Sequence, residues 1–220
     1  ATEAVEIPPF TGITAPVRLS FLTGVKEAKG LTLRIVKSPI KDKLETLYKL
    51  LGELKGESAL VFCNQRESVE RVSNYLTEMG VDNEYFHGGM EQPERERALS
   101  LFRNGSASVF ISTDLASRGL DIPEVKNVIH YHLPINEEAF IHRNGRTARM
   151  NAEGNAFMIL NEVETVPEYI TREPDEFFLP EKAKKPLRSE WVTLTINRGK
   201  RDKLSKKDVV GFLFQKGGLE

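Results

Sequence analysis

The chain has 220 residues, 40% of them apolar and 29% charged, with a formal net charge of -1. That length suits one domain of about 150 residues plus something extra, and the composition reads as soluble and globular. No apolar run approaches the roughly 20 residues of a membrane helix, so no membrane partner is expected, and the single cysteine, Cys63, excludes an internal disulfide and fits a reducing, cytoplasmic compartment.

The small net charge hides a split. Residues 1–181 hold 20 Lys and Arg against 28 Asp and Glu, a net of -8, whereas residues 182–220 hold 11 against 4, a net of +7. A basic tail points to nucleic acid or another anionic partner, with a solvated basic linker as the plain alternative. No secretory signal is visible, and the missing initial Met suggests a cut fragment.

In chain order, residues 1–32 read as a loop-rich lead-in, with Pro8, Pro9, Gly12, Pro16, Gly24 and Gly30 and an extended stretch at Val17–Thr23. From about residue 33 to 165 the pattern alternates. Apolar, β-branched runs predict strands at Leu33–Val36, Ala59–Cys63, Val81–His87, Ser108–Thr113, Val125–His132 and Asn155–Leu160. Helical spacing joins Leu44, Leu47, Leu51 and Leu54, and then Val69, Val72, Leu76 and Met79. Two more helices are predicted over Glu91–Arg103, with Pro93 in its first turn, and over Asn136–Arg149. The expected fold is α/β, a mostly parallel sheet with helices on both faces. Ligands in such sheets gather at the carboxyl ends of the strands. Residues 166–190, rich in proline and charge, read as a linker or extension. Over 191–220 a strand is expected at Trp191–Ile196, a basic loop at Asn197–Lys203, and a helix at Ser205–Gln215 capped by Ser205 with Asp208. One strand and one helix cannot bury a core, so the expectation is that the chain stops partway through a second domain.

Four stretches carry chemistry. In "STDLASRGLD" (Ser112–Asp121), Thr113 offers a hydroxyl and an N–H to a phosphate, Gly119 allows close backbone approach, and Asp121 suits a ribose hydroxyl. The plain alternative is a strand-to-helix turn capped by Asp114. In "FIHRNGRTARM" (Phe140–Met150), a helix would place Arg146 and Arg149 on one face, with His142 a turn before Arg146. Arginine forks suit phosphate because they donate paired hydrogen bonds and stay charged. Surface ion pairs with Glu137, Glu138 or Glu153 are the alternative. "HGGMEQPERE" (His87–Glu96) sets a Gly-Gly turn before a helix, where exposed N–H groups make an anion site. "CNQRES" (Cys63–Ser68) places Asn64 and Arg66 past a buried strand. His130 and His132 share a strand face, but no cluster with metal spacing accompanies them, and no metal site is expected. Cys63 is expected to be buried and inert. No G-x-x-x-x-G-K-[ST] phosphate loop occurs in the chain.

Together, "ALVFCNQRE", "HGGMEQPERE", "VFISTDLASRGLDIP" and "FIHRNGRTAR" resemble motifs IV, IVa, V and VI of DEAD-box RNA helicases, in order and spacing, over about Leu33–Leu160. The resemblance implies a RecA-like domain, the C-terminal one of two, with the phosphate loop in a preceding N-terminal RecA-like domain. ATP would then bind between the two, with Mg2+ held by that N-terminal domain. It further implies arginine fingers at Arg146 and Arg149, ATP contacts at Gly119, Asp121 and His142, and a structural ion pair for Arg143. RNA-backbone contacts are implied at Asn64, Arg66, Gly88, Arg95 and Thr113. Asn144 and Ala148 stand where the family more often has an apolar residue and Gly, and altered packing is expected at Asn144. "WVTLTINRGKRDKLSKKDVVGF" resembles the start of the RRM-like domain of DbpA-type helicases, which suggests ribosomal RNA. By this reading the full protein is an RNA-stimulated ATPase that unwinds short duplexes, and this fragment is inactive alone. A non-catalytic RNA-binding adaptor and a DNA-directed superfamily 2 helicase are the alternatives.

Overall fold

The computed structural model describes residues 30–114, 122–147, 153–196, 198–215 and 217. Gly119, Asp121, Ala148 and Arg149, and the whole lead-in up to residue 29, lie outside the described residues. Seven strands form one parallel sheet in the order β3-β4-β2-β5-β6-β1-β7. They are β1 (Leu31–Lys37), β2 (Ala59–Cys63), β3 (Asn83–Phe86), β4 (Val109–Thr113), β5 (Asn127–His130), β6 (Gly154–Leu160) and β7 (Asp175–Glu176).

Strand alternation sorts side chains to two faces. Ala59, Val61 and Cys63 of β2 join Val109, Ile111, Ile129 and Phe157 on one face. There they meet α1 (Leu44–Glu53) through Leu47 and Leu51, and α2 (Arg66–Glu78) through Val69, Val72 and Leu76. Leu60 and Phe62 point the other way, toward Ala98, Leu99 and Phe102 of α3 (Gln92–Arg103). Phe140 of α4 (Glu137–Asn144) packs there too, on Leu33, Ala156 and Met158. β2 is buried along its whole length because helices cover both faces, as parallel sheets require.

The structure corrects or decides three expectations. First, α4 ends at Asn144 instead of running to Arg149. Gly145 is its C-cap, and the chain leaves through tighter turns, Arg146 N to Arg143 O at 3.1 Å and Thr147 N to Asn144 O at 3.0 Å. Glycine disfavours continuation of a helix, so Arg146 follows the helix instead of lying on its face. Second, of the two readings of residues 166–190, linker or extension, the packing fits an extension of the domain. Val166, Tyr169 and Ile170 pack on the α4 side, Phe177 and Leu179 on the α1 side, and β7 extends the sheet beside β1. Third, Trp191–Ile196 forms no strand. A strand exists only through a paired neighbour, and this segment meets the domain through side chains, with Thr193 Oγ1 2.6 Å from Ser106 Oγ. The final helix, α5 (Lys206–Gln215), forms behind the expected cap, since Ser205 N donates to Asp208 Oδ2 at 2.7 Å and Asp208 N to Ser205 Oγ at 3.3 Å.

Candidate functional site

Arg143 is the centre of the carboxyl end of the sheet. It is 1% exposed and uses every nitrogen of its fork. Nε donates to Asp114 Oδ1 at 2.6 Å and Nη2 to Asp114 Oδ2 at 2.7 Å. Nη2 also donates to Asn64 Oδ1 at 2.8 Å, and Nη1 to the His132 carbonyl at 2.6 Å. The guanidinium lies over the Phe62 ring, 5.0 Å from its centroid. One buried cation therefore ties together the ends of β2, β4 and β5 and the last turn of α4. An Arg fork can do this where an ammonium cannot, because its donors are planar and fixed. Asp114, read from sequence as a candidate cap, spends its carboxylate on this pair.

His130 backs the hub. It is fully buried, with its ring stacked between Phe62 and Phe140. Its Nε2 is 3.0 Å from Asn144 Oδ1 and its Nδ1 is 3.5 Å from Arg143 Nη1. The amide oxygen accepts only, so Nε2 carries the hydrogen and Nδ1 presents its lone pair to the guanidinium. The opposite tautomer would aim an N–H at a cation. Asn144 Nδ2 is left buried without a partner, so a polar side chain at this position does carry a packing consequence. Burial, then the Arg143 charge, pushes the His130 pKa down to about 3. An unfolded chain protonates this imidazole near pH 6.5. The stabilisation is therefore complete above about pH 6.5 and is lost as pH falls toward 3, by up to about 1.4 kcal/mol per pH unit. Urea titrations of the parent and His130→Asn should show it. Between pH 7 and pH 4.5 the parent is expected to lose about 2 kcal/mol more than the variant. Parallel profiles would show that His130 does not remain neutral in the native state.

The residues assigned to the RNA backbone line the carboxyl ends of β2, β3 and β4, and two of them, exposed Asn64 and half-buried Arg95, also bond within the domain. Besides accepting from Arg143, Asn64 donates Nδ2 to Leu133 O at 3.1 Å and its backbone N to His132 Nδ1 at 3.2 Å. Arg95 donates Nε to Met90 O at 2.8 Å and Nη2 to Gly88 O at 2.8 Å, and its guanidinium lies 5.6 Å from the Phe86 centroid. It braces the Gly-Gly turn from within. Gly89 N donates to His87 Nδ1 at 3.1 Å and closes the same turn. Gly88 faces open space, where a Cβ would meet nothing within 4 Å. Arg66 is exposed in the first turn of α2, paired with Glu67 at 2.9 Å. Thr113 ends β4 half-buried.

At the start of α3 a capping box joins Glu91 and Glu94, with Glu91 N donating to Glu94 Oε2 at 3.1 Å, so a protein carboxylate takes part of the N–H set read from sequence as an anion site. At α2 the N-cap residue Gln65 makes no side-chain cap bond, and the Glu67 carboxylate accepts from its own backbone N–H, which occupies one donor of the first turn.

On the other side of the hub, His142 is exposed on α4, its Nε2 3.4 Å from Glu138 Oε1. Arg146 is half-buried just beyond the helix, and its carbonyl accepts from Val125 N at 3.0 Å. Thr147 Oγ1 donates to Lys126 O at 3.2 Å. Val125 and Lys126 precede β5, so Arg146 sits toward the amino end of that strand, away from the carboxyl ends where Asn64, Gly88 and Thr113 lie. The chain has already run back along α4 by that point.

One contributor carried no sequence signal. Lys43 is 3% exposed and donates Nζ to Tyr131 O at 3.1 Å and Ile159 O at 2.7 Å, with Glu164 as its ion-pair partner. Burial lowers its pKa. It stitches the ends of β5 and β6 behind Asn64 and His132. Cys63 is fully buried beside it, and burial pushes its thiol up to about 12, which leaves it without nucleophilic character at neutral pH. Among the described residues no group of His, Cys, Asp and Glu is placed to hold a metal, and no helix is long and apolar enough to cross a membrane.

A parallel sheet with helices on both faces, knit at one end by an Arg fork, fits the RecA-like class of domain. The sequence of residues 42–151 matches the family of the helicase conserved C-terminal domain, and the chain belongs to that family as the C-terminal RecA-like domain of a DEAD-box helicase. It is 34% identical over 186 residues to the ATP-dependent RNA helicase DbpA of Escherichia coli, covering 82% of this chain and 41% of that one. It superposes on the E. coli DEAD-box protein SrmB bound to the regulator of ribonuclease activity A with a TM-score of 0.61 at 29% identity, over 74% of this chain and 99% of that chain. It also superposes on Saccharomyces cerevisiae Dbp5 bound to RNA and ADP BeF3, with a TM-score of 0.54 at 29% identity, over 60% of this chain and 35% of that one. The chain thus spans less than half the length of the DbpA relative.

Proposed function

We propose that this chain is the C-terminal half of an ATP-dependent RNA helicase acting in the cytoplasm, which closes with an N-terminal RecA-like domain around ATP and a single RNA strand. The observation that carries this reading is the Arg143 hub. It fixes Asn64 and Asp114 to α4, so the candidate RNA ends of β2 and β4 and the segment bearing Arg146 form one rigid unit. Movement at one is felt at the other.

The donor set fits the far side of a triphosphate, not a whole nucleotide site. The chain supplies arginine forks but no glycine-rich phosphate loop. Arg146 and Arg149 would face the γ-phosphate as arginine fingers, Asp121 and Gly119 the ribose side, and His142 the N-terminal domain's motifs. That domain would hold Mg2+. ATP supplies the phosphoryl-transfer free energy, and the residues here orient and neutralise charge. On the RNA side, Arg66 and the remaining N–H groups at the start of α2 meet phosphates directly, with Gly88 and Thr113 flanking. Asn64 and Arg95 act by shaping that surface. Such contacts position a strand without reading its sequence, and unwinding would follow from gripping one strand of a short duplex. The basic tail, net +7 over residues 182–220, would add affinity for structured RNA, with ribosomal RNA and ribosome assembly as the suggested setting.

The test is the ATPase rate of this chain, first alone, then mixed with and then covalently joined to an N-terminal RecA-like domain. Activity only in the joined form, stimulated at least tenfold by RNA and not by DNA, is the expected result. Equal stimulation by DNA would favour the DNA-directed reading. RNA binding without ATPase in the joined form would favour a non-catalytic adaptor.

A further inference from the structure

The turn after β3 is held from two sides. Met90 N donates to the His87 carbonyl at 3.2 Å, and Arg95 binds the carbonyls of Gly88 and Met90, both at 2.8 Å. From the other side, Gly89 N donates to His87 Nδ1 at 3.1 Å. Gly88 and Gly89 are exposed, and Gly88 N has no acceptor among the described residues. The turn therefore keeps an unused N–H at the surface.

His87 follows an edge strand, yet it is 5% exposed and its ring stacks on Tyr85 with centroids 5.6 Å apart. Its Nδ1 accepts from the backbone two residues on, the bond that an Asn or Asp side chain makes in an Asx turn. A ring nitrogen that accepts carries no hydrogen, so the hydrogen of the neutral ring is on Nε2. Nε2 is buried, 3.0 Å from Glu70 Oε1 but off the line of a hydrogen bond, so that contact is electrostatic. A carboxylate there favours the tautomer that turns a hydrogen toward it instead of a lone pair. Glu70 thus leaves Nδ1 as the acceptor that closes the turn.

Glu70 comes four residues after Arg66 on α2, and residues at that spacing share a helix face. The Arg66 fork reaches the turn as well. A Cβ built on Gly89 would be 3.3 Å from His87 Nδ1 and 3.7 Å from Arg66 Nη1. The first of these is too close for an ordinary contact, so glycine is what lets the turn lie against the imidazole. Among the described residues the fork is engaged at Nε, by Glu67 at 2.9 Å, which leaves its Nη groups as donors.

We propose that His87 is a positioning residue for RNA: backed by Glu70, it fixes the Gly-Gly turn so that the Gly88 N–H and the Arg66 fork meet one RNA phosphate together. This role rests on the helicase reading above and adds to it two side chains, His87 and Glu70, that touch no RNA. A backbone N–H beside an arginine fork suits a phosphate oxygen, because both donate and one brings charge. A turn free to move would offer the N–H for only part of the time, and apparent affinity falls by the fraction of the competent state.

The test compares two amides at one position. Asn places its Oδ1 where His87 has Nδ1, so His87→Asn keeps an acceptor for Gly89 N, whereas the amide of His87→Gln is one methylene too far out. Binding of the whole chain to a fluorescein-labelled oligouridylate is followed by anisotropy over a range of salt. His87→Asn is expected to bind within about twofold of the parent and His87→Gln about tenfold more weakly, the size of one charge-assisted hydrogen bond. The slope of log K against log salt should become shallower by about 0.7 in His87→Gln, because the Arg66 charge loses its phosphate, and should not change in His87→Asn. Combined with Arg66→Ala, the losses should overlap instead of adding. Glu70→Ala tests the same link from the exposed side, where folding is not at stake. Removing a negative charge beside RNA would by itself tighten binding, and the expected result is severalfold weaker binding. Equal affinities for the Asn and Gln variants, an unchanged slope in His87→Gln, additive losses with Arg66→Ala, or tighter binding by Glu70→Ala would each overturn the role of His87 while leaving the helicase reading in place. A parent chain that does not bind the oligouridylate would overturn both.

Discussion

Replacing Arg146 with alanine is expected to lower RNA-stimulated ATP hydrolysis by about 10³-fold or more, measured as kcat in the chain joined to an N-terminal RecA-like domain. That is the range in which arginine fingers contribute to phosphoryl transfer. The fold should survive. The bonds that place this segment, Val125 N to Arg146 O and Arg146 N to Arg143 O, are made by backbone and persist in the variant. Arg146→Lys keeps the charge but loses the planar fork, so it should recover only part of the rate. KM for RNA should change little, because Arg146 lies toward the amino end of β5, away from the strand ends assigned to RNA. An alanine variant with unchanged kcat would remove Arg146 from the catalytic reading.

Arg143→Ala should fail in the opposite way, through stability. Truncating one partner of a buried, hydrogen-bonded ion pair typically costs about 3–5 kcal/mol, because the other charge is left without its partner. Here the loss strands Asp114, the Asn64 amide and the His132 carbonyl together. For a domain of this size that corresponds to a melting temperature lower by about 10 °C. Arg143→Lys should fall between, since one ammonium cannot reach Asp114, Asn64 and His132 in a common plane. Calorimetry on the isolated chain is sufficient. A loss below about 1 kcal/mol would mean that the strand ends are held by packing alone, and the rigid coupling argued between the RNA and nucleotide sides would lose its basis. The contrast between the two arginines is itself diagnostic, one altering rate at constant stability and the other altering stability first.

The elements that alternate strongly in hydrophobicity were legible in the sequence. Ala59–Cys63 was read as a strand to the residue, and six strands and the first three described helices of the sheet domain were placed within a few residues, with α4 overrun by five at its end, because burial on one or two faces imposes a period of 2 or 3.6. The final helix was also announced by its own cap. Features that depend on a distant partner were not legible. Nothing local distinguishes β7 from a loop, since two residues become a strand only beside β1. The Pro-rich stretch read as a linker or extension because its contacts to helix ends lie 84 to 131 residues earlier in the chain. Gly52 was the available clue, a glycine inside a good helix with no turn to explain it, where a Cβ would overlap the Lys184 carbonyl oxygen. Trp191–Ile196 shows the reverse error. Alternation is necessary for a strand, but pairing is what makes one.

The candidate site divides the same way. By itself the sequence determined which residues could do phosphate and RNA chemistry, because donor type, charge and spacing are local properties, and the order of the motif-like stretches placed the chain with helicases. Tertiary structure alone decided how each of them is used. It engaged Asn64 and Arg95 as braces, set a capping box of Glu91 and Glu94 at the start of α3, stopped α4 at Gly145, and buried Lys43 and Arg143 as the ties between strand ends. Those outcomes depend on which groups are brought within about 3 Å of one another when the sheet closes, and hydrogen bonds and desolvation act only at that range.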